Sequence, residues 1–254
     1  MKQHNIHALR VINIARRFFM QPPAQKDSNL TVEKGVADLL KRMIPAYSLA
    51  LLISFAAHSQ IKVVCIGNSI TAGSYPAQLN KILGDEWELK NCGVSGTTLL
   101  RNGDAPYYKT KVYADAKAFH PDVVIIKLGT NDSKPQNWKH GADYYKDYTM
   151  MIKELKALPS KPFIIICYPV PAYSSGWGIN DTVIRYEILP KLKAIAHDNH
   201  VRLINLYKPM SNHPEWFPDG IHPNKEGSGE IAGVISKKLL KYKRKIVKRK
   251  RSSR

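Results

Sequence analysis

The chain has 254 residues, 44% hydrophobic and 23% charged, a composition that buries a core and excludes a disordered protein. Three cysteines exclude a disulfide scaffold and a four-cysteine zinc site, and no apolar run reaches the roughly 18 to 20 residues that span a bilayer. The net charge of +19 sits at the ends: residues 1–59 carry +5, residues 237–254 carry +11 and the body only +3, which argues against a basic groove and a dedicated nucleic-acid partner.

Residues 1–42 show no sustained period and read as a disordered or non-native extension, with the true start expected between Leu39 and Met43. Lys41 and Arg42 then precede the apolar stretch Ile44 to Ala57, and Ala57-His58-Ser59 places small residues at the −3 and −1 positions. Residues 43–59 therefore read as a signal peptide cleaved after Ser59, and the protein as secreted or periplasmic. The alternative is a buried or amphipathic helix over 44–57; a membrane anchor is disfavoured, because that segment spans only ~21 Å as a helix.

From Gln60 onward, strands and helices alternate. Ile61 to Ile66 is a β-branched run that reads as a buried strand, followed by a helix over Tyr75 to Leu83. Glu86 to Cys92 is a second strand and Val112 to Phe119 a second helix. Val123 to Leu128 is the third strand, Ala142 to Leu158 a longer helix, and Lys161 to Tyr168 the fourth strand. Thr182 to Asn199 reads as a helix that Pro190 kinks. Val201 to Leu206 is the fifth strand, and Asn224 to Leu240 the closing helix. This alternation predicts an α/β fold, a parallel sheet with helices on both faces, with ligands beyond the carboxyl ends of the strands.

The residues with chemical potential lie at those ends. Gly67-Asn68-Ser69-Ile70-Thr71 follows strand one and sets a serine hydroxyl at the start of a helix. It lacks the second glycine of a nucleophile elbow, which argues against an α/β-hydrolase. Asn91 to Thr98 follows strand two, and its two glycines allow backbone N–H groups to approach a ligand. Gly129-Thr130-Asn131-Asp132 follows strand three and supplies a carboxamide donor. Asp219-Gly220-Ile221-His222-Pro223 precedes the last helix; an aspartate three residues before a histidine can fix the imidazole so that Nε2 takes a serine proton.

These four blocks, in this order over about residues 61–240, resemble the SGNH hydrolases, also called the GDSL esterase/lipase family. The resemblance implies a flavodoxin-like three-layer α/β/α sandwich with a five-stranded parallel sheet, and ester hydrolysis through an acyl-enzyme. It implies Ser69 as nucleophile, His222 as base and Asp219 as its partner, with an oxyanion hole from Ser69, Gly96 and Asn131. Asn68 departs from the family's aspartate and puts the local hydrogen bonding in question. No cofactor or metal is implied. His197 and His200 lack a third ligand in local sequence. Cys65, Cys92 and Cys167 read as buried strand residues.

Two loops, Pro169 to Asp181 and Asn212 to Phe217, are expected to shape the substrate pockets. Tyr173, Trp177 and Trp216 suit a sugar face, and Asn180 and Asp181 suit its hydroxyls. The loops resemble those of secreted carbohydrate acetylesterases of the sialate O-acetylesterase-like type, which implies a short-acyl, acetyl-first esterase acting on a glycan. A lysophospholipase or thioesterase of the same superfamily is the alternative. The competing class is a binding protein that uses the basic tail, residues 241–254, to contact anionic surfaces. That tail is expected to be frayed and solvated beyond about Tyr242.

Overall fold

The computed structural model describes residues 60–252; the extension 1–42 and the leader 43–59 lie outside the described residues. Five strands form one sheet: β1 (Ile61–Gly67), β2 (Trp87–Gly93), β3 (Val123–Lys127), β4 (Phe163–Cys167) and β5 (Arg202–Ile204). Their order is β2-β1-β3-β4-β5 and every pairing is parallel. This is the flavodoxin-like order.

The three central strands, β1, β3 and β4, are almost wholly buried because helices cover both faces. On one face, α1 (Ser69–Ala72) and α2 (Tyr75–Leu83) contribute Ile70, Tyr75 and Leu79 to a core with Val63, Cys65, Val123 and Ile125. On the other, α3 (Lys111–Ala118) and α4 (Tyr144–Lys156) pack Tyr113, Tyr148 and Ile152 over Val64, Ile66, Val124 and Ile126. The helix expected before β5 forms as one continuous run, distorted just ahead of Pro190. A short turn at Asp181–Val183 passes into a wide π-turn at Ile184–Ile188, and only then does α5 (Leu189–Asp198) run regularly. Pro190 causes this: it has no N–H to give, and its ring crowds the carbonyl four residues back.

The chain end corrects the expectation of a frayed tail. Helix α6 (Lys225–Ser252) continues well past Tyr242. Ile231, Ile235, Leu239 and Ile246 on one of its faces are buried in the same core as α2. The Tyr242 ring lies 5.5 Å from that of Phe163. Lys243 reaches Glu86 at 2.5 Å and Lys250 reaches Asp122 at 2.7 Å. Cation repulsion along the last turns is offset by this burial and by acids waiting on the body.

Candidate active site

The first turn beyond β1 is built by close packing. A Cβ on Gly93, at the end of β2, would stand 2.0 Å from the Ala72 nitrogen, so only glycine lets α1 lie against the sheet. Asn68 is fully buried, and its Oδ1 accepts from the Ile70 N–H at 3.1 Å, an N-cap. The departure at this position thus keeps the cap, and Ser69 starts the helix with its side chain half-buried.

The loop ahead of α6 meets it. The Ser69 Oγ lies 2.9 Å from His222 Nε2, and His222 Nδ1 lies 2.7 Å from Asp219 Oδ2. The carboxylate on Nδ1 selects the tautomer: Nδ1–H donates to Asp219, and Nε2 accepts from the serine hydroxyl. Asp219 Oδ1 takes the backbone N–H groups of Ile221 and His222 at 2.8 and 2.7 Å. Burial pushes the Asp219 carboxyl up, but these N–H groups and the imidazole outweigh it and hold it below the ordinary carboxylate range. Asp219 is therefore a fixed anion that orients the imidazole.

Two further strand ends supply donors. Gly96 stands in a left-handed conformation at φ +78° with nothing within 4 Å of an added Cβ, so backbone conformation, not space, demands glycine. Asn131, 7% exposed, donates from Nδ2 to the Thr97 carbonyl at 3.0 Å. This ties the third block to the loop carrying Gly96, and the carboxamide keeps its second hydrogen. Asp132 tightens the same junction: its two oxygens accept the Leu99 and Leu100 N–H groups at 3.0 and 2.8 Å. Sequence reasoning passed over Asp132, although it adjoins Asn131.

The five proposed sugar contacts divide. Trp177, 63% exposed, sets its ring edge-on to that of His222, with centroids 5.3 Å apart. Tyr173 does not offer its hydroxyl to a ligand: it donates to the Met210 carbonyl and accepts from the His213 N–H, while its ring packs on Phe217. The Asn180 side-chain Oδ1 accepts the Val183 N–H and caps that turn, and both Asp181 oxygens are engaged, by the Ala172 N–H and the Tyr207 hydroxyl. Trp216 stacks on His213 at 3.7 Å. The polar groups expected to meet sugar hydroxyls thus hold the loop itself. A further strut was not foreseen: Ser174 Oγ donates to the Asp219 carbonyl at 2.9 Å, and the Tyr173 N–H to that of Gly220 at 2.7 Å. The loop after β4 thereby braces the Asp219–His222 loop. The three cysteines are free and buried, Cys65 and Cys167 in the core between the sheet, α2 and α6, and Cys92 in the opposite one.

The family model described as the GDSL-like Lipase/Acylhydrolase family matches residues 65–229. The chain belongs to this family. A relative, the acetylxylan esterase of Xylanibacter ruminicola, is 43% identical over 203 residues, covering 69% of this chain and 42% of its own length. The chain thus spans less than half of that protein. Thioesterase 1/protease 1/lysophospholipase L1 of Escherichia coli K12 is 26% identical, covering 74% of this chain and 88% of its own. Among solved structures, an acetyl xylan esterase superposes with TM-score 0.58 at 22% identity, over 70% of this chain and all of that one. A lipase/acylhydrolase from Enterococcus faecalis gives 0.57 at 23%, over 70% and 94%. These two likenesses show a shared α/β fold.

Proposed function

We propose that this chain is a serine esterase that removes a short acyl group, acetyl first, from a carbohydrate. The observation that carries the reading is the continuous chain from Ser69 Oγ through the His222 ring to Asp219, at 2.9 and 2.7 Å. His222 Nε2 takes the hydroxyl proton as Ser69 Oγ attacks the ester carbonyl. Asp219 stabilises the imidazolium that forms. The oxyanion is met by the N–H groups of Ser69 and Gly96 and the free Asn131 Nδ2 hydrogen. His222 then returns the proton to the leaving alcohol, and the acyl group stays on Ser69. Water, deprotonated by His222, releases the acid and restores the serine.

The acetyl and carbohydrate parts of the reading are supported by the 43% identity to an acetylxylan esterase and by Trp177 beside the histidine. The residues 43–59 support export, with Gln60 as the mature N-terminus; N-terminal sequencing of protein recovered outside the cytoplasm checks that.

Purified protein is assayed on p-nitrophenyl esters of increasing chain length, with Ser69→Ala as control. Turnover should be highest on acetate, fall steeply with longer chains and vanish in the variant. Asn131→Ala should lose about 10² to 10³ in turnover. Preference for long acyl chains would move the substrate to lipids or thioesters. Undiminished turnover in Ser69→Ala would sink the mechanism.

A further inference from the structure

The docking of α6 turns a run of charge into a fixed array. Ile235, Leu239 and Ile246 face the core, so the opposite side of the helix is pinned outward. On that side Lys237, Lys241, Arg244, Lys248 and Arg251 recur in steps of four and three, one stripe along roughly 21 Å of helix. All five are exposed, with Lys245 beside them. No acidic residue follows Glu230 in the sequence. The acids that the last turns do meet, Glu86 and Asp122, are taken by Lys243 and Lys250 on the inner flank. Lys243, Arg244, Val247, Lys248, Arg251 and Ser252 edge a shallow depression, cationic at the rim with the half-buried Val247 as its apolar part.

We infer that this stripe is a binding surface for an anionic polysaccharide, one bearing carboxylates along its length. The choice of a glycan rests on the proposed carbohydrate-ester function; the surface itself does not. Three observations favour it over other polyanions. A helix that lies in a membrane needs an exposed apolar face, and here the apolar face is spent on the body, leaving Leu240 as the large hydrophobic exposed on the helix. Single-stranded nucleic acid is held by stacking on aromatic rings, and the aromatic residue within this array, Tyr242, is packed on Phe163. A depression with an apolar patch and a cationic rim suits a pyranose ring carrying a carboxylate.

The position suits an anchor. Helix α6 begins three residues after His222 and runs back along the sheet, so that its last turns reach Gln60, Asp122 and Lys161. These residues precede β1, β3 and β4. The stripe therefore ends at the edge of the sheet opposite the triad, where a bound polymer leaves the triad open and raises the local concentration of its own ester groups.

Full-length Ser69→Ala protein is titrated with soluble polygalacturonate, dextran, vesicles containing phosphatidylglycerol, and duplex DNA, at about 0.15 M salt. Polygalacturonate should bind, dextran should not, and binding should fade as salt rises. A Lys241→Gln, Arg244→Gln, Lys245→Gln, Lys248→Gln, Arg251→Gln variant should bind about tenfold or more weakly. With Ser69 intact, the same five changes should leave p-nitrophenyl acetate turnover within about twofold, which also shows that the variant folds. Binding equal to that of dextran, or undiminished in the variant, overturns the inference. So does tighter binding to vesicles or DNA than to polygalacturonate. Because the titration uses inactive protein, its outcome is independent of whether the esterase assay succeeds.

Discussion

Lys250 Nζ donates to Asp122 Oδ2 at 2.7 Å, with each side chain 10% exposed. The same oxygen accepts the Lys62 N–H at 2.8 Å, and the Asp122 backbone bonds to both Lys62 and Phe163. One aspartate thus gathers β1, β3, β4 and the end of α6. Asp122→Asn should destabilise the protein by about 2 kcal/mol, because it turns a largely desolvated charge-assisted bond into a neutral-acceptor one even with the amide oxygen placed where both donors converge. Ile246→Ala should cost about as much through the lost burial. Both should lower the midpoint of thermal unfolding while leaving small-ester turnover per folded molecule near wild type, since the triad stands at the other end of the sheet. Loss of turnover without loss of stability would overturn this.

Asp132 links the two donor loops. Burial pushes its carboxyl up to about 6, against the pull of the Leu99 and Leu100 N–H groups. An asparagine side chain at this position would be nearly isosteric but would face one N–H with an NH₂. Asp132→Asn should therefore shift the loop that carries Gly96 and lower kcat about tenfold, with KM for p-nitrophenyl acetate nearly unchanged, because the loss falls on the transition state. A rise in KM at constant kcat would assign Asp132 to ground-state binding instead.

Much of this was legible in the sequence because parallel strands are read as unbroken β-branched runs and their carboxyl ends carry the ligand site. Ile61 to Ile66 and Phe163 to Ile166 announce strands, and Ser69, Asn131, Asp219 and His222 fall in the loops that the structure places beyond the strands' carboxyl ends. What escaped notice depends on contacts distant in sequence. The Ser174 strut on Asp219 spans 45 positions. Tyr173 looks free as a letter, yet its hydroxyl is spent on Met210 and His213. The tail did carry a signal: Leu239, Tyr242 and Ile246 keep helical spacing within the basic run, but charge density masked it.

Lys127 is fully buried at the end of β3, and its Nζ has no hydrogen-bond partner among the described residues. Burial lowers its pKa from 10.5 to about 7. Between about 7 and 10.5 the unfolded chain binds more protons than the folded one, so this group makes stability rise with pH across that window. Below about 7 both states carry the ammonium, and the burial penalty is felt in full. Lys127→Met should therefore raise the unfolding midpoint, more at pH 6.5 than at pH 10. An equal shift at both values, or a fall, would mean that Lys127 has a compensating partner in solution.

Trp177 lies between Gly176 and Gly178 at φ +55°, a left-handed conformation that costs a bulky residue about 1 to 2 kcal/mol. Its ring nonetheless remains 63% exposed, so little burial offsets that cost. A strained, exposed aromatic edge-on to His222 makes contact with the sugar the prediction to test. Stacking of a sugar ring there should contribute about 1 kcal/mol. Trp177→Ala should then raise KM for an acetylated oligosaccharide about fivefold to tenfold, while kcat/KM for p-nitrophenyl acetate stays within about threefold. The comparison separates two roles. If both substrates lose the same factor, Trp177 acts by holding the His222 ring; if only the oligosaccharide suffers, it acts by touching the sugar.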